Sequence, residues 1–257
     1  MEIAEHIIAE HIDALREHGV LLADAAERAG LEASVSPCAP WRVKDLLRHT
    51  GYIHRWAASH ITERPASVLD GPSEAEILSG GAPDDELIGW FRQGHAALVE
   101  TLSTADPGLQ TATFMRAPSP LAFWARRQAH ETAIHRADAE SALGKLPDFS
   151  AAFAADGIDE LIMGFGRRRK YQPAAGRDGV LRVRTDDTGD CWQADIKDGR
   201  VEASREDGPA DCTVGGPASG VYLFLWNRAD FAQAGVAIEG DPAILALWRS
   251  GVRVRWE

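Results

Sequence analysis

Apolar residues return every three or four positions along residues 3–28 (Ile7, Ile8, Ile12, Leu15, Leu22, Ala26), which predicts an amphipathic helix that stops at Gly30. A second stripe (Val43, Leu46, Leu47, Ile53, Trp56, Ala57) predicts a helix ending near residues 61–62, with Pro65 beyond it. Asp84, Asp85 and Glu86 place negative charge at the positive end of a third helix, and Asp106-Pro107-Gly108 closes it. The fourth helix opens on Ser119 as cap with Pro120 in the first position, and runs to about Leu143 before Gly144. Between the second and third lies a Gly-, Pro- and Ser-rich connection, residues 69–83, long enough either to cover a site or simply to cross the surface. Four helices with connections of varied length predict a bundle.

Beyond Pro147 the period changes. One more helical run, residues 150–165, leads into short alternating segments, LRVRTD, CWQADIK, RVEASRE and DCTVGG, separated by Asp- and Gly-bearing turns. The middle pair reads as a hairpin and the pattern as antiparallel. VAIEG is a candidate strand between two helices, residues 217–226 and 242–249, the latter capped by Asp241 with Pro242 following. The expected fold class is therefore mixed, α plus α/β: a helical bundle over residues 1–147 and a smaller α+β domain over residues 148–257.

A length of 257 residues accommodates one large domain or two modest ones, and 45% hydrophobic with 26% charged residues is ordinary for a globular chain. The balance of 27 Lys and Arg against 39 Asp and Glu, a net charge of -12, argues against nucleic acid or an anionic membrane as partner and favours a small molecule. Cys38, Cys191 and Cys212 stand far apart with no C-x-x-C pair, which suits a reducing cytosol. The start MEIAEHIIAEHID lacks the basic and unbroken apolar regions of a signal peptide, and no later stretch is a candidate membrane span. A cytoplasmic protein, monomer or homodimer, is expected. Neither G-x-G-x-x-G nor G-x-x-x-x-G-K-[ST] occurs, against nucleotide chemistry.

The fourth helix carries an anomaly. Its stripe Leu121, Trp124, Gln128, Glu131, His135, Ala139 keeps helical spacing yet sets an acid and an imidazole midway, four residues apart on one face. A carboxylate on an inward face must be paired, protonated or bound to a cation. On the second helix His49 interrupts the stripe between Leu46 and Ile53. Two histidines and a carboxylate from two helices make a three-ligand set with a fourth tetrahedral position open. Spacing alone equally allows a hydrogen-bonded Glu-His pair and a satisfied core histidine. His54 and His130, each five residues from a candidate ligand, are expected on an outer face or behind the ligands. Arg127 and Asp138 fit either support of the ligands or surface ion pairs.

SPCAPWRVKDLLRHTGYIHRWAA and QAHETAIHRADAE resemble the two signature segments of the mycothiol-dependent maleylpyruvate isomerase family, a branch of the DinB-like metalloenzymes. FAADGIDELIMGF and the stretch from DCTVGGPASGVYLFLWNR to IEGDPAILALW resemble its C-terminal domain, so the likeness spans most of the chain. The resemblance implies a DinB-like four-helix bundle followed by a sterol-carrier-like α+β domain. It implies His49, Glu131 and His135 as ligands of zinc or another divalent metal, with mycothiol as thiol cosubstrate activated as thiolate. The reaction it implies is isomerisation or S-transfer on a small electrophile. Arg228, after Leu225-Trp226-Asn227, matches an arginine of the family expected to face the active site, where a guanidinium suits a substrate carboxylate; its position also suits a solvated helix end. Cys38-Ala39-Pro40-Trp41-Arg42 departs from the family pattern by shifting the proline and lacking a capping hydroxyl. A DinB-like metal hydrolase without thiol, and a non-catalytic ligand-binding protein with a structural metal, are the competing readings.

Overall fold

In a computed structural model, which describes residues 2–79, 81–173, 176–252 and 254, the chain divides into two compact units, Met1–Pro147 and Asp148–Glu257.

The first unit is built on four long helices, α1 (Glu2–Ala29), α2 (Val43–Glu63), α4 (Leu87–Thr104) and α5 (Pro120–Ser141). α1 packs mainly against α5 and α4, and α2 mainly against α4 and α5, so α1 and α2 sit on one diagonal of the bundle and α4 and α5 on the other. Leu22, Val43, Leu46, Leu47, Leu87 and Phe91 are fully buried in the core these helices share; each such side chain contributes about 1.5–3 kcal/mol through burial. α5 has no exposed residue over 121–140, and its alanines at 125, 129, 133 and 137 let neighbours approach closely. The boundaries follow local chemistry. Gly30 ends α1 at φ 81°, Arg64 ends α2 at φ 54°, and the Ser119 hydroxyl accepts the Ala122 N–H at the start of α5. The connection after α2 is not wholly irregular: Ser73 and Glu76 cap a short α3 (Glu74–Ser79), the Glu76 carboxylate accepting the Ser73 N–H at 2.8 Å. Asp84–Glu86 forms a 3-10 turn that leads into α4.

The second unit opens with α6 (Ala151–Asp159), capped by Ser150 and continued by a π-helical turn, Glu160–Phe165. Among the described residues five strands follow: β1 (Gly179–Thr185), β2 (Cys191–Lys197), β3 (Arg200–Ser204), β4 (Cys212–Gly216) and β5 (Ala237–Gly240), in the order β3-β2-β1-β4-β5. β2 and β3 form the expected hairpin. The expectation of an antiparallel sheet is corrected, because β4 pairs with β1 in parallel, Leu181 opposite Cys212 and Val183 opposite Val214. After β3 the chain returns along β1 in β1's own direction, which makes the sheet mixed. Leu181, Val183, Trp192, Ile196 and Val214 bury one side of the sheet, and the apolar helices α7 (Ala218–Leu225) and α8 (Pro242–Gly251) pack on its inner strands. Gly220 is required at the α7 contact, since a Cβ there would lie 1.9 Å from the Ala234 carbonyl oxygen. Among the described residues no helix is long and apolar enough to cross a membrane. None of the three cysteines forms a disulfide.

Candidate metal centre

The site grows from two helices of the first unit. α5 carries Arg127, Glu131, His135 and Asp138 at spacings of four, four and three, which stacks them along one face. His49 comes from α2, whose first turn is tied down where the Asp45 carboxylate accepts the Arg42 N–H at 2.9 Å. Asp45 thus makes the acid's half of a capping box although position 42 carries no hydroxyl.

Glu131, His135 and His49 are 3%, 5% and 8% exposed. Their ligand atoms all lie within 4.8 Å of one another. Glu131 Oε1 is 3.1 Å from His135 Nε2 and 3.6 Å from His49 Nε2, and the two imidazole rings meet edge to face at 5.0 Å. A tetrahedral cation with ligands about 2.0–2.2 Å away sets neighbouring ligand atoms roughly 3.3 Å apart. The observed separations fit that requirement, and two imidazoles with one carboxylate are a donor set suited to zinc and similar divalent ions.

The electrostatics are those of a site built around charge. Burial opposes ionisation of Glu131, but the hydrogen bond with His135, the His49 ring close by and the Arg127 charge hold its carboxyl well below the usual range. Burial likewise opposes protonation of His135, yet its bonds to Asp138 and Glu131 push it up to about 9. His49 goes the other way, held below its ordinary value by burial despite Glu131. Without metal, the Glu131 carboxyl is thus held between one imidazole that favours its proton and one that resists it.

Two further groups flank the cluster. The Arg127 guanidinium, with a fully buried side chain, donates to Glu131 Oε2 at 3.0 Å. His135 Nδ1 lies 2.8 Å from Oδ2 of Asp138, also fully buried. Both residues therefore face inward, and the surface-pair alternative for them is removed. His54 and His130 are fully buried as well, not on an outer face; His54 Nε2 lies 2.9 Å from Thr132 Oγ1. Two neighbours were not anticipated. The Trp41 indole lies 5.0 Å from the His49 ring and stacks at 6.4 Å on His135, forming an apolar wall. Glu74, at the start of α3, acts electrostatically on His49 and Tyr52, so the connection after α2 brings an acid toward the cluster. Trp41 had a sequence signal, its place in the CAPW segment just ahead of α2. Glu74 had none, because a polar residue in a long connection carries no period.

Arg228 belongs to the second unit. It follows α7 directly after Asn227, whose φ of 61° turns the chain, and its guanidinium donates to the Trp226 carbonyl at 2.7 Å.

A helical bundle holding a buried two-histidine, one-carboxylate cluster, joined to a mixed-sheet α+β domain, defines the class of molecule. The chain belongs to the mycothiol maleylpyruvate isomerase family: residues 12–140 match the family's N-terminal domain and residues 152–247 its C-terminal (MDMPI) domain. Among solved structures, a crystal structure of the mycothiol-dependent maleylpyruvate isomerase is similar at a TM-score of 0.62 and 14% identity, covering 90% of this chain and 92% of that one. A histidine-to-alanine mutant of that enzyme matches at the same TM-score with 13% identity, over 90% and 92% of the two chains. At such identities the likeness speaks for the fold. Among curated proteins no sequence matches.

Proposed function

We propose that this protein is a mycothiol-dependent isomerase or S-transferase whose chemistry is centred on a divalent metal, zinc by preference, held by His49, Glu131 and His135. One observation carries the reading: in a chain whose two halves both match the family's domains, these three side chains converge with the separations a tetrahedral cation needs. A cation bound there would supply a Lewis acid that lets a thiol in the fourth position lose its proton near neutral pH.

The chain's own residues define the rest. His49 Nε2, His135 Nε2 and Glu131 Oε1 supply the three donors. Asp138 fixes the His135 ring by accepting a hydrogen bond from its Nδ1–H, which leaves Nε2 to face the cluster. Trp41 walls off water on one side, which strengthens electrostatic effects within. Arg228 is proposed to bind a carboxylate of the electrophile.

The test is an assay of purified, zinc-loaded protein with mycothiol and a cis-unsaturated dicarbonyl acid such as maleylpyruvate. Isomerisation without loss of free thiol identifies an isomerase, whereas stoichiometric consumption of thiol identifies a transferase. Turnover that needs no thiol contradicts the proposal and favours a metal hydrolase. In the same assay Arg228→Gln should raise KM for carboxylate-bearing electrophiles by 10-fold or more, roughly the worth of one charge-assisted hydrogen bond.

A further inference from the structure

Glu131 has two oxygens, and the fold treats them differently. Oε1 faces both histidines, 3.1 Å from His135 Nε2 and 3.6 Å from His49 Nε2. Oε2 points the other way, where Arg127 Nη2 donates to it at 3.0 Å. Arg127 sits exactly one helical repeat of side-chain stacking before Glu131, at i and i+4 on α5, and no part of its side chain reaches solvent. Guanidinium is the one side-chain cation that cannot give up its charge on burial, so its fixed partner is an anion.

We infer that Arg127 is a positioning residue that keeps Glu131 Oε2 away from the metal, so that Glu131 binds through Oε1 alone and a coordination position stays open for sulfur. The inference rests on the metal reading given above. Without the guanidinium, a carboxylate beside a dication is free to bind through both oxygens, which would fill the position that an incoming ligand needs. The arginine also offsets the carboxylate's charge, which leaves the bound ion more electrophilic than a carboxylate without that partner would. Asp138 plays a different part, since it orients a ring and not a donor with two equivalent atoms.

The experiment uses the full chain loaded with Co2+ alone, whose visible absorption is intense in four-coordinate and weak in five- or six-coordinate sites. Wild-type protein should show the intense bands. Arg127→Met should show weak bands with Co2+ held at least as tightly as in wild type in competition titrations, because a second carboxylate oxygen joins the ion and a cation beside it is gone. Arg127→Lys, which keeps a cation on the same stem, should restore most of the intensity; a purely structural role for the arginine would not move the spectrum in this pattern. Should Arg127→Met fail to fold, infrared difference spectra of wild-type protein with and without metal decide the matter. The Glu131 carboxylate, assigned by the bands that vanish in Glu131→Gln, should show the wide splitting of one-oxygen binding. Wild-type bands in Arg127→Met, or a narrow two-oxygen splitting in wild-type protein, would overturn the inference while leaving the metal site standing. Wild-type protein that takes up no Co2+ would overturn the metal reading itself.

Discussion

At the scale of single residues, the site depends on one carboxylate that joins four partners. Glu131 contacts His49, His135 and Arg127, and through His135 it is linked to Asp138. Glu131→Gln keeps the shape but loses the charge, and a neutral amide is a poor ligand for zinc. Zinc content, measured by elemental analysis after dialysis, should fall from about one ion per chain to well below one, with the helical circular dichroism unchanged. Full occupancy would remove Glu131 from the ligand set. The three candidate ligands were legible because each is a polar interruption of an apolar stripe. Arg127 and Asp138 were not decidable, because the same helix face continues past both of them and only the packing of neighbouring helices makes that face an interior. Trp41 shows a second limit: its indole reaches the cluster through a tight turn ahead of α2, and no periodicity describes a turn.

At the scale of elements, α5 carries most of the consequences, since it holds two of the three candidate ligands and both flanking charges. Its start rests on the Ser119 hydroxyl, which takes the Ala122 N–H at 3.1 Å. Ser119→Ala should cost about 1 kcal/mol of stability, read as a lowered midpoint in urea with an unchanged slope. Because the cap lies three turns from Glu131, the variant should retain its metal. Helix boundaries such as this one were readable from Ser, Pro and Gly in their expected places. α3 was not, as six residues are too few to set up a stripe. The parallel pairing of β4 with β1 also escaped, for a different reason: short strands with turn residues between them suggest hairpins, whereas the partner of a strand is chosen by contacts distant in sequence.

At the scale of the whole molecule, the first unit buries more histidines than its candidate metal centre needs, and this should govern its response to acid. Burial, the Arg136 charge and His130 hold His18 down to about 3. Burial, with the charge of His95, holds His54 well below its ordinary value, and burial also lowers His95. An unfolded histidine takes up a proton near pH 6.5. The stability these groups provide is therefore complete above about 6.5 and lost as pH falls from there toward the folded values. For His18 the loss is about 1.4 kcal/mol per pH unit. His135 has the opposite sign in metal-free protein: raised to about 9 by Asp138 and Glu131 against the effect of burial, it stabilises fully below about 6.5 and loses that contribution as pH rises through 9. Melting temperatures of metal-free protein should peak near neutrality and fall on both sides, with the acid side the steeper. A flat profile between pH 4 and 6.5 would contradict this account of the buried histidines.

The central claim is that these helices hold a metal with a place left for a thiol. Isothermal titration of mycothiol into wild-type protein, once zinc-loaded and once stripped of metal, tests it most directly. The account predicts saturable binding near one thiol per chain, with proton release, in the zinc-loaded protein and none in the stripped protein or in Glu131→Gln. Equal binding with and without zinc, or none in either, would contradict it.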